Sequence, residues 1–201
     1  MPAQTRRELL RGGAAGAGGA AAGVLLAAAS AQAAPAPAAV SVTDRLQRLI
    51  RIELLLAFSY RHVLASSVLT PRARRTLTPF VAHEQAHIAA LERELTARGA
   101  TLPAGPASVT AANHDLGHRK VGGRLGQLRG DLDAVRLLLT LEQVTIGAYF
   151  VALLKLEETG LIELASQIMA NEAQHDAMLG LLMPPNKPAD AVPYGLVQGL
   201  Q

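Results

Sequence analysis

Apolar residues recur along most of this chain at the three- and four-residue spacing of a buried helix face, and clear start and stop signals divide them into four long runs. Ser41-Val42-Thr43-Asp44 forms an N-cap cluster ahead of the first run, Leu46 to Leu69. Thr70-Pro71 reads as an N-cap with proline at the first helical position. It opens a second run that carries to Arg98 and stops at Gly99. Pro79, inside that run, has no N–H for the preceding turn, which predicts a kink or a late start. Gly130-Asp131 opens a third run ending near Glu158-Thr159-Gly160, and a fourth extends from Leu161 to Leu182 before Pro184-Pro185.

The connections set the topology. Tight turns join the first run to the second and the third to the fourth, so each pair is an antiparallel hairpin. Between the hairpins lie residues 100–130, rich in Gly and broken by Pro103 and Pro106. A bundle helix of about 26 residues is roughly 39 Å long. At about 3.3 Å per extended residue, the 100–130 segment can run the full length of such a helix with slack. The expected fold is therefore all-α, a four-helix bundle of two hairpins joined by one long crossover.

Composition narrows this further. The chain has 201 residues, 50% of them hydrophobic but only 3% aromatic, so Leu, Ala, Ile and Val must fill the core, as they do between close-packed helices. Cysteine is absent, which excludes disulfides, thiolate metal sites and cysteine nucleophiles. The formal charge is +3, but residues 1–35 hold Arg6, Arg7 and Arg11 against Glu8; without them 16 basic residues face 15 acidic ones, a net +1. No nucleic-acid footprint survives that balance.

The excluded segment has a function of its own. Arg6-Arg7 precedes a Gly/Ala-rich stretch from Gly12 to Ala29, and Ala31-Gln32-Ala33 offers small residues for a signal peptidase. Residues 1–33 thus resemble a twin-arginine export signal, with the Tat machinery as transit partner and a periplasmic, cell-envelope or extracellular destination. Residues 34–40 read as an Ala/Pro linker, 41–183 as the bundle and 184–201 as an irregular tail.

The chain also carries one message twice. Glu53 and Tyr60, seven apart in the first run, return as Glu142 and Tyr149 in the third. Glu84-Gln85-Ala86-His87 in the second returns as Glu172-Ala173-Gln174-His175 in the fourth. Glu142 follows Glu53 by 89 positions and Glu172 follows Glu84 by 88, the mark of a duplicated hairpin. Glu53 stands among Ile52, Leu54, Leu55 and Leu56, and a carboxylate on an apolar stripe must be paired, protonated or bound to metal. Glu and His three apart share a helix face and can converge on one ion. In each hairpin the lone Glu and the Glu-x-x-His pair are equidistant from the turn, so docking the hairpins sets four carboxylates and two imidazoles around one cavity. Oxygen and nitrogen donors without thiolate favour iron or manganese there, with zinc allowed. The bridging carboxylates can come from the first and third runs or from the second and fourth.

Glu53, Glu84/His87, Glu142 and Glu172/His175 resemble the ligand set of the ferritin-like di-iron carboxylate superfamily. With the export signal, the chain is most similar to exported bacterial members related to stress- and desiccation-associated ferritin-like proteins. The resemblance spans about residues 44–183 and implies a ferritin-like bundle holding two iron ions, or manganese or zinc. It assigns the six residues as metal ligands, with Glu53 and Glu142 capping or bridging. It further implies iron handling or oxidative-stress protection, with oxygen or hydrogen peroxide as oxidant, in a chain open to homo-oligomer assembly. A stress-protective or structural envelope protein without turnover would share the same fold.

His83-Glu84-Gln85-Ala86-His87 also matches H-E-x-x-H, in which His83 and His87 would hold zinc and Glu84 would act as base. Ala90 and Arg93 stand where the extended protease motif needs Gly and His, and Glu53, Glu142, Glu172 and His175 would go unused. On this reading His83 matters little to the metals, and its counterpart, Asn171, differs from it. Tyr60 and Tyr149 face the core, as space-filling rings with bonded hydroxyls or as redox groups. His62, His114 and His118 read as ordinary polar positions, the last two at i, i+4.

Overall fold

The computed structural model describes residues 40–184, and among them regular structure is helical throughout. The residues assigned to the export signal, to the linker as far as residue 39 and to the tail from residue 185 lie outside the described residues. Helix α1 (Val42–Ala65) starts where the N-cap cluster stands. Ser41 Oγ accepts from the Asp44 N–H at 3.0 Å and the Asp44 carboxylate accepts from the Ser41 N–H at 3.3 Å, a reciprocal capping box. The helix stops at Ala65, four residues before Leu69, because the Arg74 guanidinium reaches back to the carbonyls of Leu64 and Ser66 and satisfies them outside the helix.

The second run divides at Pro79. Helix α2 (Pro71–Leu77) ends two residues before it, and α3 (Phe80–Ala97) begins directly after, with the N–H groups of Ala82 and His83 donating to the Pro79 carbonyl. Gly99 ends α3 with φ +71°, a left-handed conformation that costs glycine nothing, and the Ala100 N–H closes onto the Leu95 carbonyl at 3.2 Å.

The crossover differs from the irregular stretch its composition suggested. It contains α4 (Val109–His118), capped by Ser108 and anchored by buried Ala112 and Leu116. Its approach is close: a Cβ on Gly105 would lie 3.2 Å from Leu54 Cβ on α1. Beyond it, α5 (Asp131–Leu153) and α6 (Thr159–Gly180) form the second hairpin. Asp131 accepts from the Thr70 N–H, which ties the start of α5 to the start of α2.

Helices α1 and α3 pack as one hairpin, α5 and α6 as the other, and α1 meets α5 between them. By length and composition α5 is apolar enough to cross a membrane (mean hydropathy 1.3), yet it is the helix packed on both α6 and α1. The core has two apolar layers. One gathers Leu55, Leu56, Leu77, Leu116 and Leu138; the other gathers Leu46, Leu49, Leu91, Leu161 and Ile168. Along each long helix the Glu and His residues of the repeated pattern fall between those layers.

Leu116 is fully buried, so α4 is part of the core and not a loose strap. Leu116→Ala is expected to cost about 2–5 kcal/mol in chemical denaturation. Leu154→Ala, at a 64% exposed site, should shift the midpoint by no more than about 0.5 kcal/mol.

Candidate metal centre

Each of the four long helices delivers its part of the repeated pattern to one buried place. Glu53, Glu84, Glu142 and Glu172 are fully buried, His175 is 1% exposed and His87 8%. Their donor atoms form two groups, each lying within 4.8 Å: Glu53, Glu84, His87 and Glu172 in one, Glu84, Glu142, Glu172 and His175 in the other. Glu84 and Glu172 belong to both.

The atoms explain the sharing. His87 Nδ1 lies 2.9 Å from Glu172 Oε1, 3.5 Å from Glu84 Oε2 and 3.4 Å from Glu53 Oε2. His175 Nδ1 lies 3.2 Å from Glu172 Oε2, 3.2 Å from Glu84 Oε1 and 3.3 Å from Glu142 Oε1. Each shared carboxylate thus turns one oxygen to each imidazole, the posture of a bridge between two ions. The sequence left the bridging pair open; Glu84 and Glu172 are the carboxylates common to both groups, while Glu53 and Glu142 each belong to one.

Of these close approaches the one between His175 Nδ1 and Glu172 Oε2, at 3.2 Å, is an aligned hydrogen bond, and several others are not. His87 Nδ1 has no aligned partner despite its short contacts, and Glu53 Oε2, both oxygens of Glu84, Glu142 Oε2 and Glu172 Oε1 are buried without one. Orphaned buried oxygens are costly. Donor atoms grouped this closely could share a cation, and donors limited to nitrogen and oxygen suit iron or manganese.

The two tyrosines serve the opposite hairpin. Tyr60 on α1 donates its hydroxyl to Glu142 on α5, and Tyr149 on α5 donates to Glu53 on α1. Both rings are fully buried, and burial followed by the nearby carboxylates pushes both phenols well above their usual pKa. They remain hydrogen-bond donors that fix the terminal carboxylates.

His83, read from the sequence as a minor position, is not one. Its Nδ1 lies 2.9 Å from His175 Nε2, the nitrogen facing away from the cluster, and its ring stacks parallel to the His175 ring. Phe80 stacks on His175 as well, at 4.0 Å between centroids. The sequence raised His83 only through the rival zinc motif and Phe80 not at all, because their counterparts in the second half are different residues and the duplication gives no signal for them. His83 belongs to neither group of donor atoms, contrary to what an H-E-x-x-H zinc site requires.

Charge balance at the cluster is severe. Burial, then repulsion from Glu172, drives the Glu53 and Glu142 carboxyls well above the usual range. Burial opposes charge on the imidazoles too, but the surrounding carboxylates outweigh it and push His87 up to about 12 and His175 to about 11. Glu172 goes the other way: burial raises it, but His175 and His87 beside it bring it to about 2. The raised carboxyls and imidazoles all favour taking up protons, the neutralising work that bound cations would otherwise do.

A family model described as a ferritin-like domain matches residues 41–184. The chain belongs to the ferritin-like family. No curated protein and no solved structure matches it. The ferritin-like match covers all six helices and every residue of the buried cluster.

The pKa shifts have a definite sign. Raised imidazoles and raised carboxyls both mean that the folded chain holds more protons than the unfolded one. After metal is removed by chelation, stability should fall as pH rises from about 4.5, the ordinary carboxyl range, with a further loss from about 6.5 as the histidines join. Metal displaces those protons, so the melting-temperature gain on adding manganese should grow with pH; a gain that shrinks with pH would contradict this protonation scheme. His83→Ala should weaken metal binding by about 10–100-fold with helical content unchanged, and His83→Gln should restore part of it.

Proposed function

We propose that this ferritin-like chain holds two iron ions, with manganese as the alternative, and oxidises ferrous iron with oxygen or hydrogen peroxide in iron handling or oxidative-stress protection. The observation that carries the reading is the double use of Glu84 and Glu172, whose paired oxygens face His87 on one side and His175 on the other. Hydrogen peroxide would accept one electron from each of two adjacent ferrous ions and, with two protons, leave as two waters.

The chain's own residues would prepare that chemistry. Glu84 and Glu172 set the spacing of the pair, and the tyrosine hydroxyls hold Glu53 and Glu142 in place. Phe80 and His83 fix the plane of His175. The His87 side chain is 10% exposed and that of His175 only 2%, so oxidant and iron would approach from the His87 side.

Anaerobic titration of the chelator-stripped chain with ferrous iron should saturate at about two ions per chain, and added peroxide should convert them to ferric iron. Glu172→Gln should abolish the second equivalent and slow oxidation by at least about tenfold, since it removes a bridge from both positions. Two bound ions without oxidant consumption would leave a metal-binding protein that is not an oxidase. No binding would defeat the reading.

We propose, further, that Arg6-Arg7 directs export by the twin-arginine route, which carries folded proteins and would let the cluster load beforehand. Arg6→Lys with Arg7→Lys should hold an unprocessed precursor in the cytoplasm; normal export of the double variant would indicate the general secretory route.

A further inference from the structure

We infer that His114 and His118 form a second metal site, on the outer face of α4, for a late first-row divalent ion: copper, nickel or zinc. One helical turn sets the two rings on the same face, opposite the buried Ala112 and Leu116 that anchor the helix. Their Nε2 atoms lie 3.1 Å apart, with the rings at 77° to one another. The separation is that of one ring donating to the other, and it also lies between the roughly 2.9 Å and 3.4 Å at which two nitrogens about 2.0–2.1 Å from one ion stand at right and tetrahedral angles, so an ion can replace the shared proton with little movement.

Three further features prepare the pair. The Asp115 carboxylate lies 3.5 Å from His114 Nδ1, on the far side of the ring from Nε2, and adds negative charge beside the pair. His118 stands in the last turn of α4, where the helix dipole favours a cation. The helix is held still: Ser108 caps its start, and Asn113 Oδ1 accepts from the Leu125 N–H at 2.8 Å, pinning the following loop against it.

The donor type separates this site from the buried one. Two imidazoles with no bound carboxylate favour copper, nickel and zinc over ferrous iron and manganese. The His114 side chain is 70% exposed, so waters can complete the coordination shell and exchange is quick. The crossover that joins the hairpins thus carries a solvent-facing site of different selectivity from the buried cluster.

Copper(II) titration of the full chain, followed by electron paramagnetic resonance, tests this directly. Besides any copper entering the buried cluster, where each group of donors has one imidazole, the wild type should take up one equivalent that shows coupling to two nitrogens. His114→Ala and His118→Ala should each weaken that equivalent by about a hundredfold, the loss of the second arm of a chelate. Both positions face solvent, so melting temperature before metal is added serves to show that the variants are folded. Glu172→Gln should retain the two-nitrogen signal. Equal copper binding by wild type and both histidine variants would overturn the assignment, as would disappearance of the signal in Glu172→Gln alone.

Discussion

Four glutamates are buried at the middle of an apolar bundle, and much of the structure answers that one electrostatic problem. Unscreened, four carboxylates within a few ångströms of each other could not stay ionised. The fold supplies two imidazoles on the same helix faces, two phenol hydroxyls reaching across between the hairpins, and donor atoms close enough together that they could hold a metal ion. The two apolar layers above and below keep water from sharing the task. A site of this kind gains little from packing alone; its buried carboxylates need protons or cations to neutralise them.

Duplication makes the solution economical, and departure from duplication makes it specific. Each hairpin brings one Glu, one Glu-x-x-His and one Tyr, and the tyrosines reach across so that neither hairpin completes its own terminal carboxylate. The site therefore exists only when the hairpins dock. His83 and Phe80 then break the equivalence, since they brace His175 and nothing comparable among the described residues braces His87, the more exposed of the two rings. Two positions with matching donors are in this way unequal in rigidity and in access to solvent.

The crossover has more structure than a tether needs. It must return the chain along the bundle, which any extended segment could do, but α4 also buries Leu116 and Ala112 on the first hairpin's side of the core. Rigidity there fixes the outer face, and with it the histidines that point away from the bundle.

The helices and their order were legible because amphipathic period, caps and breakers act locally: Ser41, Thr70, Pro79 and Gly99 punctuate the chain where the structure does. The six residues of the cluster were legible for a related reason, as charge on an apolar stripe conflicts with burial and the conflict occurs twice. Position along a helix, however, says nothing about rotamer or about the other hairpin. Which glutamates bridge, which carboxylate each tyrosine holds, and that His83 lies against His175 depend on contacts spanning 82, 96 and 92 residues. Helix α4 escaped for the opposite reason: ten residues among glycines and prolines give too short a period to stand out, and its stability comes from packing Leu116 into a core assembled by the rest of the chain. Local chemistry determined the helices and the residues that conflict with burial; only docking of the two hairpins decided how that conflict is resolved, because the energy that resolves it lies between them.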